Sequence, residues 1–165
     1  VKRARSSISI TAELKTFLES GVSVLVGTRD RDLVPEITRA WGLLVSKDGK
    51  KISLCVPHAT SRKTFDNLAG NGQMTVCCSL PTTYKTVQLK GRCMETADPN
   101  RADLAAVERH REAFGRLNER IGFPREHSET FWRRELEASP AMVKLRFVPE
   151  QIFDQTPGPD AGSPL

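Results

Sequence analysis

No apolar run in this 165-residue chain approaches the ~20 residues a helix needs to cross a bilayer, so no helical membrane span is expected. Cysteine is scarce and unpatterned. Cys55, Cys77, Cys78 and Cys93 include no pair spaced by two residues, which removes the usual zinc and dithiol motifs. They lie in or beside strand-like apolar segments, the setting of reduced core thiols, and the expected compartment is the cytoplasm. The three histidines, His58, His110 and His127, fall in separate segments without i, i+4 spacing or acidic companions, so no metal site is expected. No serine stands in a nucleophile elbow and no cysteine has an evident histidine partner, which leaves hydrolysis by side chains without support. The start, Val1-Lys2-Arg3-Ala4-Arg5, is basic but not followed by an apolar core, so it is not expected to be a secretory leader.

What is present is a moderately basic chain with net charge +5. Lys2, Arg3 and Arg5 supply three of those charges in a tail expected over residues 1–10, leaving +2 for the rest. Between Arg101 and Glu137, eight arginines mix with eight acidic residues, which reads as a solvated helical face with ion pairs. Neither pattern is a phosphate-tracking stripe, and no nucleic-acid partner is expected.

Periodicity divides the chain into short elements of one domain. Leu14, Phe17 and Leu18 share a face of a first helix that ends at Ser20-Gly21. Strand-like runs follow at Val22–Thr28 and from Leu33 to Val45, the latter turned back by Lys47-Asp48-Gly49-Lys50, a hairpin signal, into Ile52–Val56. A short helix ends at Gly70; then come strands at Gln73–Leu80 and Thr86–Glu95. A helical insertion over about residues 98–138 presents Leu104, Val107, Phe114, Leu117 and Ile121 as one stripe, with a second helix near Ser128–Glu137. Met142–Val148 is the last strand, and residues 155–165 are too rich in Pro and Gly for regular structure. Six strands at hairpin spacing with little room for crossover helices imply an antiparallel barrel, mainly β with short flanking helices.

The informative stretch is the start of the short central helix. Strand Ile52–Val56 stops at Pro57, and Thr60 or Ser61 can cap a helix whose first turn carries Arg62 and Lys63. Cations there oppose the helix dipole, so an anion at that spot explains them better than solvent does. Helix-start amides, a hydroxyl, a guanidinium and an ammonium together suit a phosphate group.

These segments and residues together resemble the pyridoxamine-phosphate-oxidase-like family of FMN-binding split barrels, over about Glu13 to Gln155. Ser61-Arg62-Lys63, after Pro57-His58, matches the family's phosphate-holding serine, arginine and lysine, with Thr60 beside them. Arg39-Ala40-Trp41-Gly42-Leu43-Leu44 sits where the family has an arginine-led strand beside the flavin. Val87-Gln88-Leu89-Lys90-Gly91 and Arg146–Ile152 match two further strands, with Thr86 at the position of a flavin-contacting glutamine. The resemblance implies a six-stranded antiparallel split β-barrel that binds FMN. It also implies a homodimer with flavin at the subunit interface, and electron transfer with NAD(P)H or a small organic substrate. Arg39, Ala40, Trp41, Pro57, His58, Thr60, Ser61, Arg62, Lys63, Thr86 and Gln88 become the candidate cofactor residues. Trp41 shares the face of Arg39 by parity, although a tryptophan at such a position is more often core or interface. The true oxidases carry a Trp-led segment and an arginine–histidine pair after the last strand. Here the tail Thr156-Pro157-Gly158-Pro159-Asp160 has neither, so the substrate is expected not to be pyridoxamine phosphate. A non-catalytic flavin- or ligand-binding module, or a deazaflavin- or haem-handling relative, is the alternative.

Overall fold

Alternating apolar residues and tight turns produce a run of antiparallel strands. The computed structural model describes residues 8–165: α1 (Ala12–Leu18), β1 (Ser23–Arg29), β2 (Pro35–Val45), β3 (Ile52–Pro57), α2 (Arg62–Asn71), β4 (Gln73–Ser79), β5 (Thr86–Ala97), α3 (Arg101–Arg120), α4 (Arg125–Ala138) and β6 (Met142–Asp154). The strands close into a barrel in the order β1-β2-β3-β6-β5-β4, with β4 returning to β1 and every pair antiparallel. Val24, Val26, Leu54, Val76, Leu89 and Phe147 fill the interior. Each such side chain contributes about 1.5–3 kcal/mol by leaving water. Among the described residues no helix is long and apolar enough to cross a membrane.

Two helical elements decorate the barrel, and both matter for the site. Helix α2 plugs one end. It inserts Leu68 into the core and sets Asn67 against Thr28, 3.1 Å apart, and Ser61 against Thr38, 3.0 Å apart. Helices α3 and α4 cover the outside of β2 and β3, where Trp41, Cys55, Val107 and Met142 form a second small core with Phe114 and Trp132 packed on it. A bulge in β2 between Trp41 and Leu44 makes this double use possible. Gly42 sits there at φ +65°, and a Cβ on it would lie 2.8 Å from the backbone nitrogen of Val107 in α3.

Several boundaries differ from expectation. The short helix runs past Gly70 and ends at Gly72, which takes the left-handed C-cap conformation with its N–H on Leu68. The second helix of the insertion begins at Arg125, three residues before Ser128. Strand β6 continues beyond Val148 through Pro149 to Asp154. Pro149 is tolerated because β3 pairs only with Met142–Phe147, so the missing donor falls where β6 has left that neighbour. The basic tail expected over residues 1–10 lies outside the described residues up to position 7, and Ile10 is already buried in the core, with its N–H on Gly49. The apolar stripe of α3 is also shifted: Leu104 and Ile121 are exposed, while Asp103, Ala106, Val107, His110 and Arg111 are buried.

Candidate cofactor site

Strand β3 delivers the chain to the start of α2 through a loop that is stitched down. Pro57 is buried opposite Met142; the N–H of His58 donates to the Ala141 carbonyl (2.9 Å) and that of Ala59 to the Ser139 hydroxyl (2.9 Å). The His58 ring stacks on Phe65, centroids 5.9 Å apart, and Thr60 is exposed. Ser61 occupies the N-cap position but makes no capping bond, because its buried hydroxyl is committed to Thr38. The first-turn N–H groups therefore lack the side-chain acceptor that a capping serine supplies. No acidic residue stands in that turn. Arg62 has no carboxylate partner among the described residues, and Lys63 meets only Glu36, at 3.8 Å and half exposed. The Thr64 hydroxyl in the same turn is buried without a partner. An uncapped helix start with two surface cations fits a phosphate dianion better than it fits solvent. His58, Ala59, Arg62 and Phe65 line a cleft of about 320 Å³ beside them.

Arg39, Trp41, Thr86 and Gln88 sit on the outer face of the sheet. Register places Arg39 opposite Leu25, Leu25 opposite Cys77 and Cys77 opposite Gln88, one row across four strands. Arg39 and Gln88 are thus on the same face, roughly 14 Å apart by three strand spacings. One row over, Ser23, Ser79 and Thr86 align. The Thr86 hydroxyl meets that of Ser79 at 2.9 Å, and the Gln88 side-chain oxygen Oε1 accepts from Gln155 Nε2 at 3.4 Å. Toward the α2 end, the same face holds a cleft of about 510 Å³ whose lining includes Gly27, Glu36, Ile37, Thr75 and Lys90. Glu36, the partner of Lys63, links this cleft to the helix start.

Not every candidate is gathered. Thr38, next to Ser61, and Arg39 point to opposite sides of β2. The Arg39 guanidinium donates to Ser23 (3.2 Å) and lies 5.8 Å and 5.7 Å from the ring centres of Trp41 and Phe114. Burial pushes it below the ordinary arginine value, which Glu135 partly offsets. Trp41 is 1% exposed, sealed by His110, Phe114 and Trp132, and the Ala40 methyl faces the barrel interior. Trp41 therefore has the packing role that is commoner for a tryptophan at such a position, and Ala40 can offer only its main chain.

Solved structures of other proteins have this arrangement of strands and helices. HupZ of Group A Streptococcus is 19% identical over 93% of this chain and 99% of its own (TM-score 0.53). An FMN-binding protein from Syntrophomonas wolfei is 15% identical over 85% and 82% (TM-score 0.51). A Clostridium acetobutylicum protein related to general stress protein 26 of B. subtilis, of the pyridoxinephosphate oxidase family, is 19% identical over 86% and 84% (TM-score 0.50). The fold is the pyridoxamine-phosphate-oxidase-like split barrel. No family model matches the chain, and no curated protein matches its sequence.

Within this split barrel, the residue sequence reasoning missed is His110. It reaches down from α3, accepts the Gly42 N–H on Nδ1 (2.9 Å) and meets the Val22 carbonyl with Nε2 (2.7 Å), which fixes the Nε2–H tautomer. Burial lowers its pKa, the bond to Val22 opposes that, and Arg39 and Arg111 add to the lowering. The available signal was its position: His110 follows Ala106 and Val107 by four and three residues, on the face those residues bury.

Proposed function

We propose that this protein binds FMN, with the phosphate at the start of α2, and acts as a flavin-dependent oxidoreductase whose substrate is not pyridoxamine phosphate. The observation that carries the reading is the uncapped first turn bearing Arg62 and Lys63 without an acidic residue in it. The fold neighbours described as FMN-binding and as of the pyridoxinephosphate oxidase family support the cofactor. Arg62 takes two phosphate oxygens and Lys63 acts as a point charge. Thr86 and Gln88 offer hydrogen bonds to a ring edge from the outer sheet face. That face also exposes Ile37 (65%) and leaves Leu33 and Val34 in water, which suits a second copy of the chain closing over the flavin. A bound flavin supplies the two-electron chemistry, with NAD(P)H or a small organic substrate as partner. The tail after Ile152 contains no arginine or histidine to grip pyridoxamine phosphate.

The test is FMN titration of the purified chain against Arg62→Ala/Lys63→Ala. Losing two charge-assisted bonds of about 1.5–3 kcal/mol each weakens FMN by roughly 10²–10⁴-fold. Unchanged affinity refutes the phosphate assignment. The second reading, a non-catalytic flavin module, is favoured by one fact: His110, packed against Trp41, has both ring nitrogens occupied. Anaerobic NADH or NADPH separates the two. Bleaching of the flavin supports a reductase, and colour that survives both donors supports the module. The absorption spectrum of the purified protein distinguishes FMN from a deazaflavin or haem.

A further inference from the structure

Two other helices of this chain carry a working side-chain cap, and comparison with them sets Ser61 apart. Thr11 before α1, at ψ 160°, accepts the Leu14 N–H at 3.2 Å. Asn100 before α3, at ψ 177°, accepts those of Ala102 and Asp103 at 2.8 Å and 3.0 Å. Both have the extended backbone that brings a capping side chain onto the first turn. Ser61 has ψ 17° and no capping bond. Its hydroxyl points the other way, to that of Thr38 at 3.0 Å, in a residue only 1% exposed.

Thr38 is placed to hold it there. It lies in the regular part of β2, paired with Val26 and ahead of the bulge, and is itself buried. Two residues earlier, on the same face of the strand, Glu36 meets Lys63 at 3.8 Å. One strand therefore touches both ends of the Ser61–Lys63 triplet. Further along α2, Asn67 bonds Thr28 at 3.1 Å and Leu68 enters the core, so the helix has anchors besides the Thr38 hydroxyl.

We propose that Thr38 is a positioning residue for the anion site: it holds the Ser61 hydroxyl inward and so keeps the start of α2 uncapped. Ser61 is then a restrained competitor of the bound phosphate and not one of its ligands. Freed from Thr38, its hydroxyl turns onto the Lys63 N–H and takes the place of the anion. The role in cofactor binding rests on the phosphate reading proposed above; the restraint on the cap does not.

The test compares Thr38→Val, which replaces the hydroxyl by a methyl, with Thr38→Ser, which keeps it. In protein without ligand, exchange of the Lys63 amide, followed by NMR, is expected to slow about fivefold in Thr38→Val and to stay native in Thr38→Ser. FMN and inorganic phosphate, titrated separately, are expected to weaken about fivefold in Thr38→Val, because only the uncapped fraction binds. Thr38→Val/Ser61→Ala removes both hydroxyls and strands neither, and is expected to return exchange and affinity to within about twofold of native. A merely structural Thr38 would not give that recovery. Unchanged exchange in Thr38→Val, or a double variant that binds as weakly as Thr38→Val, overturns the proposal. Should Thr38→Val not fold, the double variant decides. Affinity kept there supports the proposal, and a loss of about tenfold or more makes Ser61 a ligand and is fatal. If the native protein binds neither FMN nor phosphate, the flavin reading falls alone, and the Lys63 exchange rates still decide whether Thr38 restrains the cap.

Discussion

His110 is the residue whose removal is expected to damage the protein most specifically. Replacing it with Ala strips the acceptor from the Gly42 N–H and the donor from the Val22 carbonyl, both buried. A buried group left unsatisfied costs about 1–3 kcal/mol, and the ring also packs edge-on against Trp41, 5.4 Å between centroids. With the cavity added, the loss is roughly 3–6 kcal/mol, a large share of the about 5–15 kcal/mol typical of a domain. Urea unfolding followed by circular dichroism at pH 7.5 measures it. The pH dependence gives a second reading of the same residue. Its pKa is lowered in the folded state from 6.5, so below that pH the unfolded chain takes up a proton before the folded one does. The stabilisation it gives is complete above 6.5 and is lost as pH falls toward the folded value. A stability slope below pH 6.5 is therefore expected in the native protein and should flatten in His110→Ala. A loss under about 1 kcal/mol, smaller than one unsatisfied group, refutes the reasoning, as does a preserved slope.

Other consequences can be measured on the same material. Gly42→Ala meets a positive φ and a 2.8 Å approach to the Val107 backbone, and should lower stability by about 2 kcal/mol or more, read as a shifted thermal midpoint. Asp103→Asn leaves the Lys144 ammonium, 2.8 Å away and 13% exposed, without its counter-charge; about 3–5 kcal/mol should be lost in urea unfolding, part of it returning in Asp103→Asn/Lys144→Met. Burial pushes the Cys55 thiol up to about 12 and raises Cys78 as well, so neither should react with a thiol reagent at pH 8 until denaturant is added. Prompt reaction of all four cysteines in the native protein would show that the barrel opens readily.

The barrel was legible because its signals are local. Asp48-Gly49 forces the β2–β3 hairpin, and alternation in Gln73–Ser79 and Thr86–Glu95 follows from one buried and one open face. Ser61-Arg62-Lys63 was legible as a triplet, but the Ser61 hydroxyl turns from the helix to Thr38, a partner 23 residues away that no spacing rule reveals. The face of α3 was misread for a similar reason. Apolar Leu104 and Ile121 suggested one stripe, whereas the buried face is fixed by long-range polar bonds of His110 to Val22 and Gly42 and of Asp103 to Lys144. Trp41 entered the candidates through the family match and strand parity, with core or interface as the commoner reading, and parity cannot tell that two helices later in the chain will cover it. The sequence pattern of a polar residue on a buried stripe is informative only once its partner is known.

Strand β6 outruns its neighbour β3, and a closed barrel there briefly regains an open border. Residues 162–165 mend it: the Asp154 N–H bonds Ser163, that of Leu165 bonds Ile152, and Phe153 bridges Pro164. The segment rich in proline and glycine is therefore a hem on the sheet, built from residues that are poor templates for further strands. Removing it would leave a row of unpaired main-chain groups beside a buried Ile152, a place where a second chain could add its own strand. Proteins trimmed at that point should associate more readily, without any change in the core.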